Sequence, residues 1–205
     1  GAGKTTLINL LTRFYDVQEG AILLDGHDLR DYRMADLRSA FGVVLQDTAL
    51  FGESIRNNIS YGKENVPFEK IREAAVQAGA DAFIRRLPQG YDTVLTQGGA
   101  ELSQGERQLL TIARALLSDA PILILDEAPS SVDTVTEQHI RRAMDAAASG
   151  RTSFLIAHRL STIRDCDLIL LIENGKIVEK GSHEELMRLD GSYAKMYRTQ
   201  MGIAG

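Results

Sequence analysis

Residues 121–127 read Pro121-Ile122-Leu123-Ile124-Leu125-Asp126-Glu127. Proline lacks an N–H and punctuates the chain just ahead of the run. Four aliphatic residues follow with no polar residue on either face. That pattern predicts a strand buried on both sides, as in a helix-covered parallel sheet. Two acids then stand at the strand's carboxyl end, which is where open α/β sheets bind their ligands.

Working outward, the downstream chain alternates. Residues 134–148 predict a helix, 152–157 a strand, 160–165 a short helix and 168–172 another strand. Asn174-Gly175 is a hairpin signal with 176–180 as the return strand, and helices are predicted at 182–189 and 192–201. Upstream, residues 4–14 predict a helix with Leu7, Leu10, Leu11 and Phe14 on one face. A strand at 21–24 ends at Asp25-Gly26, and 41–45 has strand character. Residues 67–87 read as two helical pieces broken near Gly79 and stopped at Pro88, and 104–118 as a strong helix. The outer thirds alternate strand and helix while the middle third is helical. The expected fold is therefore an α/β core with a mainly parallel sheet and a helical insertion over roughly residues 53–118.

A formal net charge of -5 argues against a general nucleic-acid binder, which needs a basic face. Cys166 is the single cysteine, so neither a disulfide framework nor a cysteine metal cluster is available. It is expected as a small half-buried residue before a strand. No run of 18 apolar residues and no signal peptide occur. The chain opens at Gly1 without an initiator Met, so a piece of a longer protein is expected.

Gly1-Ala2-Gly3-Lys4-Thr5-Thr6 is the second half of the phosphate-loop pattern G-x-x-x-x-G-K-[ST]. Glycines let backbone N–H groups close on phosphate oxygens, and the helix starting near Lys4 aims its positive end there. Lys4 suits the β- and γ-phosphates, and the Thr5 hydroxyl suits Mg²⁺. Taken alone, this is also a plain glycine-rich helix start. Asp126 is placed to hold Mg²⁺ through a water, and Glu127 to act as general base toward an attacking water. Taken alone, the pair is also a cap at a strand-to-helix turn.

Between these motifs lies Leu102-Ser103-Gln104-Gly105-Glu106-Arg107-Gln108, followed by a helix ending Ala113-Arg114-Ala115-Leu116-Leu117. This resembles the signature motif L-S-G-G-Q-R-Q of the ABC transporter ATP-binding cassette. Gln104 replaces a Gly and Glu106 a Gln, while Ser103 and Gly105 are kept. Ser103 and Glu106 also fit a capping box, and both readings hold together. Further elements match in order: Gln46 the Q-loop glutamine, Ser130-Ser131-Val132-Asp133 the D-loop, and His158 the switch histidine. The resemblance spans essentially the whole chain.

It implies a P-loop NTPase core truncated inside Walker A, with its helical subdomain between the Q-loop and the signature. It implies ATP as substrate and Mg²⁺ as cofactor. Nucleotide contacts fall to Gly1, Ala2, Gly3, Lys4, Thr5, Thr6, Gln46, Ser103, Gln104, Gly105, Glu106 and Asp133. Thr5, Gln46 and Asp126 serve the metal, and Lys4, Glu127 and His158 the chemistry. The implied partners are a second cassette, packed head to tail as a homodimer or heterodimer, and a transmembrane domain of the same polypeptide. The implied location is the cytoplasmic face of the cell (inner) membrane, with no nucleic acid bound.

Leu50-Phe51 with Ile55, Asn58-Ile59 and Tyr61-Gly62, and Leu87-Pro88-Gln89-Gly90-Tyr91-Asp92-Thr93, resemble exporter cassettes fused to six membrane helices. Leu45-Gln46-Asp47-Thr48 and Leu102-Ser103-Gln104-Gly105 resemble one half of bacterial heterodimeric multidrug-type exporters, and the whole is similar to bacterial multidrug and lipid exporters. Thr96-Gln97-Gly98-Gly99 falls where exporters carry a coupling loop, with Gln97 in place of a common Glu. Chromosome-acting relatives place a long coiled coil between phosphate loop and signature, and no heptads separate Lys4 from Ser103. Ribosome-bound relatives carry two cassettes in one soluble chain. Degenerate, non-hydrolysing cassettes lose the acid at 127 or the histidine at 158, and both are present.

Overall fold

The computed structural model describes residues 3–45, 49–96, 98–126, 134–157 and 159–202, with Thr134 and Val135 described by backbone alone. The first elements are α1 (Lys4–Leu11), β1 (Leu23–Leu24), β2 (His27–Asp28), α2 (Met34–Ser39) and β3 (Phe41–Val44). Four helices follow: α3 (Ile55–Ile59), α4 (Phe68–Gln77), α5 (Asp81–Ile84) and α6 (Gln104–Ser118). Then come β4 (Ile122–Asp126), α7 (Thr134–Ala148) and β5 (Thr152–Ile156). The last are β6 (Ile169–Glu173), β7 (Lys176–Gly181), α8 (His183–Leu189) and α9 (Ser192–Met201). The chain divides into two compact units, residues 1–34 with 155–205 and residues 35–154.

The unit of residues 35–154 is built on a three-stranded sheet in the order β3-β4-β5. β3 and β4 run parallel, with Phe41 opposite Ile122 and Val44 opposite Leu125. β4 is buried from Ile122 to Leu125, as its all-aliphatic run predicts, because α6 packs on β3 and α7 on β4. α6 is the hub of the unit: α3, α4 and α7 all pack on it. Its inner face carries Leu109, Leu110, Ile112, Ala113 and Ala115. Each large aliphatic side chain buried there contributes about 1.5–3 kcal/mol relative to exposure.

The unit of residues 1–34 and 155–205 holds α1, two antiparallel hairpins and the two C-terminal helices. Asp25 and Gly26 (φ 50° and 84°) turn β1 into β2, and Asn174 and Gly175 (φ 49° and 75°) turn β6 into β7. Two consecutive positive φ values match the twist of the flanking strands, which is why Asp-Gly and Asn-Gly occupy these turns. Ile169, Leu186, Tyr193 and Tyr197 form the core, with Cys166 half-buried against it.

Five elements differ from the sequence expectation. The first helix stops at Leu11 rather than residue 14. Arg13 turns left-handed at φ 52°, and the Phe14 N–H donates to the Asn9 carbonyl at 2.7 Å. That closing turn satisfies the last carbonyls and throws Phe14 out to 63% exposure, off the core face. Arg13 is held in this conformation by its own side chain, which donates to Asp16 and to the carbonyls of Leu29 and Tyr32. Residues 160–165 form successive tight turns instead of a helix, with Thr162 N–H donating to Arg159 O and Cys166 N–H to Ile163 O. The strand at 21–24 shrinks to Leu23–Leu24. α2 and the short α3 were not anticipated as separate helices.

Candidate nucleotide site

Gly3 stands at φ +101° and opens α1. An L side chain rarely adopts that backbone, and a Cβ here would also touch the Gly175 Cα at 3.6 Å. No side chain caps the start of α1, and its first turn carries no acid. The first N–H groups of a helix have no intrahelical partner, so this end of α1 keeps its donors and positive dipole available to an anion. Lys4 follows at the first helical position, half-buried, and the Thr5 and Thr6 side chains are exposed. Among the described residues, Lys4 and Thr5 make no ion pair or side-chain hydrogen bond. This donor set fits a nucleotide's phosphates. Gly1 and Ala2 lie outside the described residues.

Asp126 is the last residue of β4 and is half-buried. The parallel register sets Val44 opposite Leu125, so Leu45 and Asp126 leave the sheet at the same end. A carboxylate at that position suits a hydrated divalent cation. Gln46, Glu127, Asp133 and His158, together with Gln97, lie outside the described residues.

The segment 103–106 is brought together at the start of α6. The Ser103 hydroxyl accepts from the Glu106 N–H at 3.2 Å, and the Glu106 carboxylate accepts from the Ser103 N–H at 2.9 Å. This is the reciprocal capping box that the sequence predicts. The Ser103 hydroxyl also donates to Glu106 Oε2 at 2.9 Å. Gln104 is half-buried, and Gly105 is buried against α7, where a Cβ would stand 2.2 Å from Thr136 Cγ2. Arg107 reaches back, its Nη1 donating to the Leu102 carbonyl at 2.7 Å and to the Gly99 carbonyl at 3.4 Å. The carboxylate of Glu101 closes the preceding loop by accepting from the Thr96 N–H and hydroxyl, which holds it below the usual range.

A second cluster ties the exporter-like segment 49–62 to α6. Arg114 donates from Nε to the Asn58 carbonyl at 2.7 Å and from Nη1 to the Ala49 carbonyl at 3.1 Å. Its guanidinium lies 5.6 Å and 5.4 Å from the ring centres of Phe51 and Tyr61, which stack on each other at 4.2 Å. Burial pushes the Arg114 pKa down from its usual value. Asn58 is itself buried; its amide donates to the carbonyls of Phe51, Glu53 and Ser54 and its oxygen accepts from the Phe51 N–H. Lys63 donates to the Leu117 and Ser118 carbonyls at the C-terminal end of α6. Sequence reasoning quoted Asn58 and Arg114 inside motifs but gave them no role. The signal for Arg114 is a cation inside the apolar run Ile112-Ala113-Arg114-Ala115-Leu116-Leu117; Asn58, among polar neighbours, carries none.

The family model described as ABC transporter matches residues 1–130. An ATP-dependent lipid A-core flippase of Desulfotalea psychrophila is 54% identical over 200 residues, covering 98% of this chain and 35% of that protein. An uncharacterized ABC transporter ATP-binding protein of Bacillus subtilis is 52% identical, covering 98% of this chain and 33% of that protein. A solved bacterial Atm1-family ABC exporter with ATP bound superposes with a TM-score of 0.90 at 49% identity, covering 97% of this chain and 35% of that chain. The chain thus spans about a third of the length of the curated relatives it matches.

Proposed function

This chain belongs to the ABC transporter family, and from that premise we propose that it is the ATP-binding and ATP-hydrolysing cassette of an exporter. The observation that carries the reading is the start of α1. Gly3 at φ +101° leads into a helix with no side-chain cap and no acid in its first turn, followed at once by Lys4 and Thr5. Together these supply backbone donors, a helix dipole, an ammonium and a hydroxyl to a phosphate chain.

Two cassettes pack head to tail, so that ATP lies between residues 1–6 of one chain and residues 103–106 of the other. Lys4 neutralises phosphate charge, Glu127 takes a proton from the attacking water, and His158 holds the γ-phosphate. Asp133 and Gln104 complete the nucleotide contacts. Thr5, Gln46 and Asp126 hold Mg²⁺, which when bound offsets the charge of the β- and γ-phosphates. Most of the rate enhancement is positioning and electrostatics. The run of helices α3–α6 supports reading roughly residues 53–118 as the inserted helical subdomain. The cassette works at the cytoplasmic face of the membrane, attached to a transmembrane domain of the same polypeptide, and ATP-driven closure of the dimer moves that domain between its two states. Among the described residues no helix is long and apolar enough to cross a membrane.

The test is Glu127→Gln in the full-length protein. ATP binding is retained and steady-state turnover falls by at least about tenfold. Near-normal turnover would remove Glu127 as general base. Lys4→Ala provides the second arm, with loss of nucleotide binding measured by equilibrium titration.

A further inference from the structure

We propose that Glu106 is a positioning residue that restrains the signature serine electrostatically, so that its carboxylate sets the ATP concentration at which the composite site fills. The inference rests on the reading above, in which Ser103 meets the γ-phosphate of ATP held by a facing cassette.

A serine hydroxyl has one proton to donate. Here that proton goes to Glu106 Oε2 at 2.9 Å, while the hydroxyl oxygen accepts from the Glu106 N–H. To donate to a phosphate, Ser103 must turn away from a charged acceptor. The incoming phosphate also brings negative charge beside the Glu106 carboxylate. Among the described residues Glu106 forms no ion pair. The adjacent cation, Arg107, is committed to the carbonyls of Leu102 and Gly99 instead. Glu106 is half-buried, so solvent screens its charge only in part. Gln at this position would keep an oxygen acceptor for the Ser103 N–H and hydroxyl, and hence the cap, while removing the charge. The sequence difference from the family's usual glutamine thereby gains a physical consequence: a raised threshold for the phosphate, with the cap geometry kept.

The restraint acts on bound ATP and on the transition state alike, so it belongs in KM and leaves kcat alone. In the purified full-length protein, Glu106→Gln lowers KM for ATP by at least about threefold with kcat within about twofold, and the difference narrows at high salt. Competition by ADP, which lacks the γ-phosphate, stays unchanged. Glu185→Gln removes the same charge from the corresponding cap of α8 and leaves KM where it is, which separates charge at this site from capping in general. An unchanged or raised KM in Glu106→Gln overturns the proposal, as does an equal shift for ADP. Ser103→Ala raises KM for ATP in the same assay. If Ser103→Ala does not move it, Ser103 does not meet the phosphate, and the reading of the signature segment falls along with the restraint. Failure of Glu106→Gln alone removes only the restraint.

Discussion

Gly105 on α6 and Thr136 on α7 meet so closely that a Cβ on Gly105 would stand 2.2 Å from Thr136 Cγ2. The glycine of the signature segment therefore has a packing reason for lacking a side chain, independent of any nucleotide. α7 seats the start of α6, and the position of Ser103 depends on that seat. Gly105→Ala is expected to cost about 1–3 kcal/mol, the usual range for overpacking a tight contact. Thr136→Ser removes the clashing methyl, so the double variant recovers much of the loss. Denaturant midpoints of the two single variants and the double variant check this. Simple additivity of the two effects would show that the contact is not what excludes the methyl group.

Arg114 is the second fixed point of α6. It holds the Asn58 and Ala49 carbonyls and lies on the stacked Phe51–Tyr61 pair. Arg114→Ala leaves the part-buried Asn58 carbonyl without its donor and strips the rings of their cation, with an expected cost of about 1–3 kcal/mol. Lysine cannot supply the same fork, so Arg114→Lys recovers only part of it. Arg114 Nη2 also donates to Asn58 Oδ1 at 3.3 Å. A double-mutant cycle with Asn58→Ala gives the coupling through that side-chain contact, and a value near zero would refute it, while full stability of Arg114→Ala would refute the account as a whole.

How much of this was legible in the sequence follows from how local each signal is. The strand 122–126, the helix 104–118 and the two hairpin turns are set by short-range periodicity and turn chemistry, and they stand where the sequence places them. The Ser103–Glu106 box was readable for the same reason, since a cap spans three residues. Long-range contacts decide the rest. Nothing local says that Arg13 will turn left-handed, because the carbonyls it binds belong to Leu29 and Tyr32, sixteen and nineteen residues on. The role of Arg114 depends on Asn58, 56 residues away, and that of Gly105 on Thr136. The site motifs at Gln46, Glu127, Asp133 and His158 rest on sequence and family alone.

Glu179 in β7 supplies the cap that α9 lacks in its own sequence. Its two oxygens accept from the Ser192 N–H at 2.6 Å and the Tyr193 N–H at 3.0 Å. Gly191, at the N-cap, leaves room for it: a Cβ there would stand 2.2 Å from Glu179 Oε1. Glu179→Ala is expected to destabilise by about 1–2 kcal/mol, as loss of a helix cap does. Gly191→Ala has a similar effect in the wild-type background and little in Glu179→Ala, because the side chain it displaces is gone. Amide exchange of residues 192–197 reads the local consequence. Undiminished protection in Glu179→Ala would contradict the cap.

Asp28 gives a pH prediction with a definite sign. The Arg30 guanidinium and then the Arg30 N–H donate to its carboxylate and hold its pKa down to about 2, from an ordinary 3.8. A folded-state value below the unfolded one adds stability above the unfolded pKa, and that contribution is lost as pH falls from about 4 toward 2. Carboxyl NMR of the wild type should show Asp28 still ionised at pH 3, and Arg30→Ala should move its midpoint up toward the ordinary value. Because the pair is exposed, salt weakens the shift. An Asp28 midpoint near 4 in the wild type, at low salt, would mean that the Arg30 contact does not persist in solution.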